Sequence, residues 1–164
     1  MPGRLAVALA IIVFLAVLAG LGAISGNLTF FATKGHPEPA AEAHYRKVIS
    51  RDFGTLEPLN AGLDACNIGG TRQGCYAASN RMIDALNSLL RDLNTTDVPS
   101  RYVDGDDAVR HAVQRLLDGF QTRNSGLAAN DNASFVRGND ELKQGNSDLS
   151  RAWRRFPANA RPVP

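Results

Sequence analysis

Residues 135–156 read FVRGNDELKQGNSDLSRAWRRF, and cut into sevens they become FVRGNDE, LKQGNSD, LSRAWRR and F. An apolar residue opens each heptad, at Phe135, Leu142, Leu149 and Phe156. Three positions on come Gly138, Gly145 and Ala152, so a smooth stripe runs beside the apolar one. That pattern predicts a helix made to be approached closely. Each glycine costs a helix about 1 kcal/mol relative to alanine, so two of them at heptad spacing call for a packing explanation.

The segment before it supplies a partner. A third helix is expected from Arg101 or Asp104 to about Asn130, with Val109, Val113, Leu116, Leu117, Phe120 and Leu127 inward. Gly126 with Gly138, Gly119 with Gly145, and Ala112 with Ala152 are symmetric about Asn132, inside the polar Asn130-Asp131-Asn132 turn. A helical hairpin centred there places small residues opposite small residues at three levels, with the two axes no more than about 10 Å apart. A local alternative makes Gly126 a helix C-cap with Leu127 as its hydrophobic companion. Ser134 or Asn132 can cap the fourth helix.

Two further helices precede these. Pro37 and Pro39 suit a helix start, and the run to about Cys66 carries Tyr45, Ile49, Phe53, Leu56, Leu59 and Leu63 on one side. Pro58 falls inside it and is expected to kink the helix or end it early, because its nitrogen has no hydrogen to donate and its ring crowds the preceding turn. Residues 67–74 (NIGGTRQG) read as a loop. A second helix then runs from about Cys75 to Leu93, with Met82, Ile83, Leu86, Leu89, Leu90 and Leu93 as its apolar face, before NTTDVPS at 94–100 breaks it. Cys66 and Cys75 thus lie at facing helix ends, which favours a disulfide over two free thiols or half of a metal site.

Residues 5–24 (LAVALAIIVFLAVLAGLGAI), from Leu5 to Ile24, contain no charge. As a helix they would span about 30 Å, the depth of a bilayer's hydrocarbon core. The length favours an uncleaved anchor over a signal peptide, although Ala23-Ile24-Ser25 offers a small-x-small cleavage site. Arg4 and the amino terminus precede the span, so the positive-inside rule leaves the bulk of the chain outside the cytoplasm. A disulfide agrees with that placement. The expected organisation is an anchor or signal peptide at 1–25, a linker at 26–40, an all-α up-and-down four-helix bundle at 41–156, and a flexible tail at 157–164.

The net charge of +2 on 164 residues gives no reason to expect nucleic acid as a partner. The three histidines, His36, His44 and His111, show neither the i, i+4 pairing nor the Glu-x-x-His spacing of bundle metal sites. Met82 with His111 as haem ligands is what chance supplies, and CxxCH is absent. Asp104, Asp106 and Asp107 resemble a calcium loop only briefly, since Arg115 occupies the twelfth position where a glutamate is needed. Helix-start charge is the better account of them. No nucleophile elbow, P-loop or dinucleotide fingerprint occurs. The expectation is no enzyme, no cofactor and no metal.

Two features point toward binding. Asparagines recur at Asn80, Asn87, Asn94, Asn124, Asn139 and Asn146, either as a solvated face with interhelical hydrogen bonds or as a ligand-binding polar seam. Arg151, Trp153, Arg154 and Arg155 make a basic, aromatic end to the last helix, a candidate contact for anionic lipid or an envelope protein. The simpler account of that cluster is that cations suit a helix C-terminus. The run VPSRYVDGDDAVRHAVQRLLDGF followed by SFVRGNDELKQGNSDLSRAW resembles the helical domains of bacterial secreted or membrane-anchored proteins, a resemblance that implies no activity and no site residue. A membrane-anchored, extracytoplasmic, non-catalytic interaction module is therefore expected, with a small-molecule or metal sensor as the alternative.

Overall fold

The computed structural model describes residues 39–66 and 70–157. The expected anchor or signal peptide, almost all of the expected linker and the expected tail beyond residue 157 lie outside the described residues. So do positions 67–69 of the expected loop. Among the described residues there are four α-helices and no strand, consistent with a helical bundle. The helices are α1 (Ala40–Gly62), α2 (Arg72–Thr95), α3 (Val103–Ala129) and α4 (Asn132–Trp153), with 3-10 turns at Leu63–Cys66 and Ser100–Tyr102. No helix among them is long and apolar enough to cross a membrane.

Most boundaries follow local chemistry. α2 starts at Arg72, earlier than the expected Cys75, because Thr71 caps it: the threonine hydroxyl accepts from the Gly74 amide at 3.0 Å. α3 ends at Asn130, which adopts the left-handed conformation with φ of 57°. The amides of Asn130 and Asp131 both return to the Gly126 carbonyl, so Gly126 lies inside the helix and the C-cap reading of that glycine is replaced. Asp131, rather than Ser134 or Asn132, caps α4 by accepting from the Ala133 amide at 2.9 Å and the Ser134 hydroxyl at 2.6 Å. Pro58 does not end α1; the helix continues to Gly62 with the proline exposed.

The core is one cluster drawn from all four helices. Tyr45, Ile49, Phe53, Leu56 and Leu63 meet Met82, Leu86, Leu89, Leu93, Val109, Val113, Leu116, Leu117, Phe120, Leu142 and Leu149. Leu59, Ile83 and Leu90 are only partly buried at its margin. Consecutive helices run antiparallel, as contacts at their opposite ends show. Arg51 on α1 reaches Asp92 on α2 at 2.7 Å, and the α1–α2 pair closes at Cys66 and Cys75 with sulfurs 2.11 Å apart, a disulfide distance. Asn124 on α3 donates to Asn80 on α2 at 2.8 Å, while Arg110 reaches Asn94 at 2.7 Å.

Among the described helices, α3 and α4 form the most intimate pair. A Cβ placed on Gly119 would lie 2.9 Å from the Leu142 nitrogen, and one on Gly145 2.9 Å from Leu116 Cγ. On Gly126 it would come within 2.9 Å of Phe135 Cα, and on Gly138 within 2.8 Å of Arg123 Cα. These distances are too short for any side chain, so the backbones meet because hydrogens stand where methyl groups would be.

The register corrects the expected small-on-small pairing. Gly126 faces Phe135, Gly138 faces Arg123, Gly119 faces Leu142 and Gly145 faces Leu116. The pairing is thus offset by three residues, so each glycine receives a larger residue, through its backbone at Gly119, Gly126 and Gly138 and first through its side chain at Gly145. The physical reason is filling: glycine opposite glycine would leave a void, and voids forfeit dispersion contacts. Carried on, the same register sets buried Ala112 beside Leu149 and buried Val109 beside Ala152. It ends at Gly105, where a Cβ would lie 2.6 Å from the Phe156 ring.

Candidate functional site

Polar and aromatic groups collect at the two ends of the helices. At the end where α1 begins and α4 finishes, Tyr45 stacks on Tyr102 with centroids 5.2 Å apart, and Phe156 lies 6.5 and 5.8 Å from those two rings. Trp153 turns into this aromatic group, 5.0 Å from Phe53 and 5.3 Å from Phe156. It therefore separates from the arginines with which the sequence groups it. Arg151 pairs with Asp148, and Arg154 and Arg155 are exposed.

Asp106 is the buried polar centre of this end. It is 1 % exposed, accepts from the Tyr45 hydroxyl at 2.7 Å and pairs with Arg110. Burial, followed by the hydrogen bond to Asp106, raises the Tyr45 phenol far above its ordinary range, so this hydroxyl keeps its proton and donates it. Of the three aspartates read as helix-start charge, Asp104 and Asp107 are exposed while Asp106 ties α1 to α3. Tyr102 and Arg101 complete the corner around Glu42.

The opposite end carries the disulfide and a buried cation. Arg123 is 3 % exposed, and its Nη2 donates to the Ser79 hydroxyl and lies 3.8 Å from Cys66 Sγ. Its guanidinium carbon is 4.9 Å from the centroid of the Phe120 ring. Nε has no hydrogen-bond partner, and among the described residues no carboxylate is within ion-pair distance of this guanidinium. Desolvation alone pushes it down to about 10, so it stays charged near neutral pH. Of the two sulfurs' residues, Cys75 is buried and Cys66 partly exposed.

The asparagines do not form one seam. Asn124 and Asn80 bond to each other, Asn94 is exposed and bonded to Arg110, and Asn139 is buried. Asn146 is 2 % exposed, with both amide atoms unpartnered, and Asn60 on α1 has an unpartnered buried carbonyl oxygen. Met82 is buried while His111 is exposed with its ring nitrogen on the Asp107 carbonyl, so those two do not converge. Among the described residues no group of three or more His, Cys, Asp or Glu side chains is placed to hold a metal ion.

Sequence reasoning passed over Arg123 and Asn60, and read Asp106 only as helix-start charge. A signal for the first existed: Tyr102, Val109, Leu116 and Arg123 recur at heptad spacing, so an arginine occupies a core position. Compared with family models, curated proteins and solved structures, the chain finds no match in any of the three.

Proposed function

We propose that the chain is an up-and-down four-helix bundle anchored by Leu5 to Ile24 on the outer face of a bacterial membrane, acting there as a non-catalytic interaction module. The observation that carries this reading is the convergence of α1's start with α4's end, through Tyr45, Tyr102 and Phe156. α1 is the first helix after the apolar leader and the linker at 26–40 in sequence, which supports reading the exposed Arg151, Arg154 and Arg155 as the membrane-proximal end of the bundle. A Cys66–Cys75 disulfide agrees with a placement outside the reducing cytosol.

The test is purification of the intact protein from its source membranes, alongside a variant with Arg151, Arg154 and Arg155 all replaced by Gln. A companion that is retained by the natural protein and lost by the variant is expected. An isolated monomer in both preparations contradicts the interaction role. A mature amino terminus at Gly26 contradicts the anchor and leaves a secreted protein. The second reading, a small-molecule sensor, draws on the unpartnered amide of Asn146. Its mark would be a ligand that stabilises the natural protein but not Asn146→Leu.

A further inference from the structure

We propose that Cys66–Cys75 is a thiol-disulfide exchange site that oxidises dithiols, with Cys66 as the sulfur attacked and Arg123 as the positioning charge that stabilises its thiolate. The inference goes beyond the interaction role, since it requires neither the anchor nor a membrane partner. Three observations carry it. Arg123 is a buried cation with no carboxylate among the described residues, and its guanidinium reaches Cys66 Sγ at 3.8 Å. The two cysteines differ in access, Cys66 being partly exposed and Cys75 buried. Cys75 also lies in the first turns of α2, where the helix's positive end favours a thiolate.

Among the described residues this guanidinium has the Ser79 hydroxyl and the Phe120 ring beside it but no anion while the sulfurs are joined, and a buried charge without a counter-ion is costly. Reduction supplies the missing anion, because a Cys66 thiolate beside Arg123 completes an ion pair that the oxidised form cannot make. Stabilising the reduced form makes a disulfide a stronger oxidant. In the exchange, a substrate thiolate attacks Cys66 Sγ, forming a mixed disulfide, and Cys75 leaves as a thiolate. The second thiolate of the same dithiol then attacks the substrate sulfur and expels Cys66. Two electrons pass to the Cys66–Cys75 pair, and the substrate becomes a disulfide. Of the two protons lost by the dithiol, one is taken up by Cys75 and the other goes to solvent, while Cys66 remains a thiolate against Arg123.

The experiment equilibrates the full-length protein in detergent with graded mixtures of reduced and oxidised glutathione, and quantifies free thiols by alkylation. The natural protein and Arg123→Lys are expected to be half-reduced in mixtures that leave Arg123→Met largely oxidised. The expected difference is at least about tenfold in the exchange equilibrium constant, which is about 30 mV for a two-electron couple. Equal constants for the natural protein and Arg123→Met overturn the proposal. Should Arg123→Met fail to fold, the natural protein decides alone: reduction within the glutathione series with folding retained supports exchange, and persistent oxidation throughout overturns it.

Discussion

Between α1 and α2 the contact is made by side chains, Leu56 and Leu63 sharing a core with Ala78 and Met82, and a sulfur bridge ties the two ends. Between α3 and α4 the backbones themselves meet, and no covalent link is needed because a two-residue turn already joins them. The first pair should tolerate changes of side-chain shape by repacking, at a cost set by volume. In the second, a methyl added at Gly126 or Gly138 pushes directly on main chain, and one added at Gly119 or Gly145 pushes on main chain and a buried leucine together. Two helical hairpins in one chain thus depend on different terms: covalent restraint plus aliphatic burial in one, and the absence of atoms in the other.

The contrast is broken most forcefully at Gly138. By helix propensity alone, Gly138→Ala would stabilise α4 by about 1 kcal/mol. The Arg123 backbone stands where the new methyl must go, so the expected result is a net loss of about 2 kcal/mol or more in urea unfolding. Gly62→Ala is the matched control. Its methyl would meet only the flexible end of Arg81, at 3.5 Å, and it should be neutral or stabilising. Equal signs for the two substitutions would remove the distinction between the pairs.

Replacing both Cys66 and Cys75 with alanine should lower stability by about 2 to 3 kcal/mol, since the bridge closes a short loop. Hydrogen exchange should then quicken at the facing ends of α1 and α2 and remain slow in the central turns of α3 and α4. Uniform acceleration would mean that the hairpins are not separately held.

A smaller effect is expected from Tyr45→Phe. It removes the hydroxyl that bonds Asp106 at 2.7 Å and leaves the buried carboxylate to Arg110 alone, which should cost about 1 to 2 kcal/mol by thermal unfolding. The smallest concerns acid. Hydrogen bonds from the Ser134 hydroxyl, and then from the Ser134 and Ala133 backbone, hold the Asp131 carboxyl below its ordinary value. Its contribution to stability is therefore complete above the unfolded-state value near 3.8 and is lost as the pH falls through the lowered folded value. Asp131→Asn should flatten that part of the acid unfolding profile; an unchanged profile would show that the cap contributes nothing there.

Helix number, the apolar faces and the turn at residues 130–132 were legible because each rests on local periodicity or on turn chemistry. Tyr45, Leu86, Val113 and Leu149 lie in the core for the reason their spacing implies. The α3–α4 register was legible only in part. Heptad spacing marks which residues face the partner helix, but glycine on glycine and glycine on a larger residue satisfy the same spacing, and only void filling in three dimensions separates them. Trp153 illustrates a related limit. Its neighbours in sequence are exposed arginines, while its neighbours in space, Phe53 and Phe156, come from α1 and from beyond α4. The candidate site was the least legible part, since a core arginine becomes notable only when none of the described acids lies beside it.

The most direct test of the α3–α4 contact is a nuclear Overhauser spectrum of the isotopically labelled protein. Cross-peaks from the Gly138 α-protons to the Arg123 amide, and from the Gly119 α-protons to the Leu142 amide, are predicted. Cross-peaks linking the Gly138 α-protons to those of Gly126, with the Arg123 contact missing, would contradict the interleaved register.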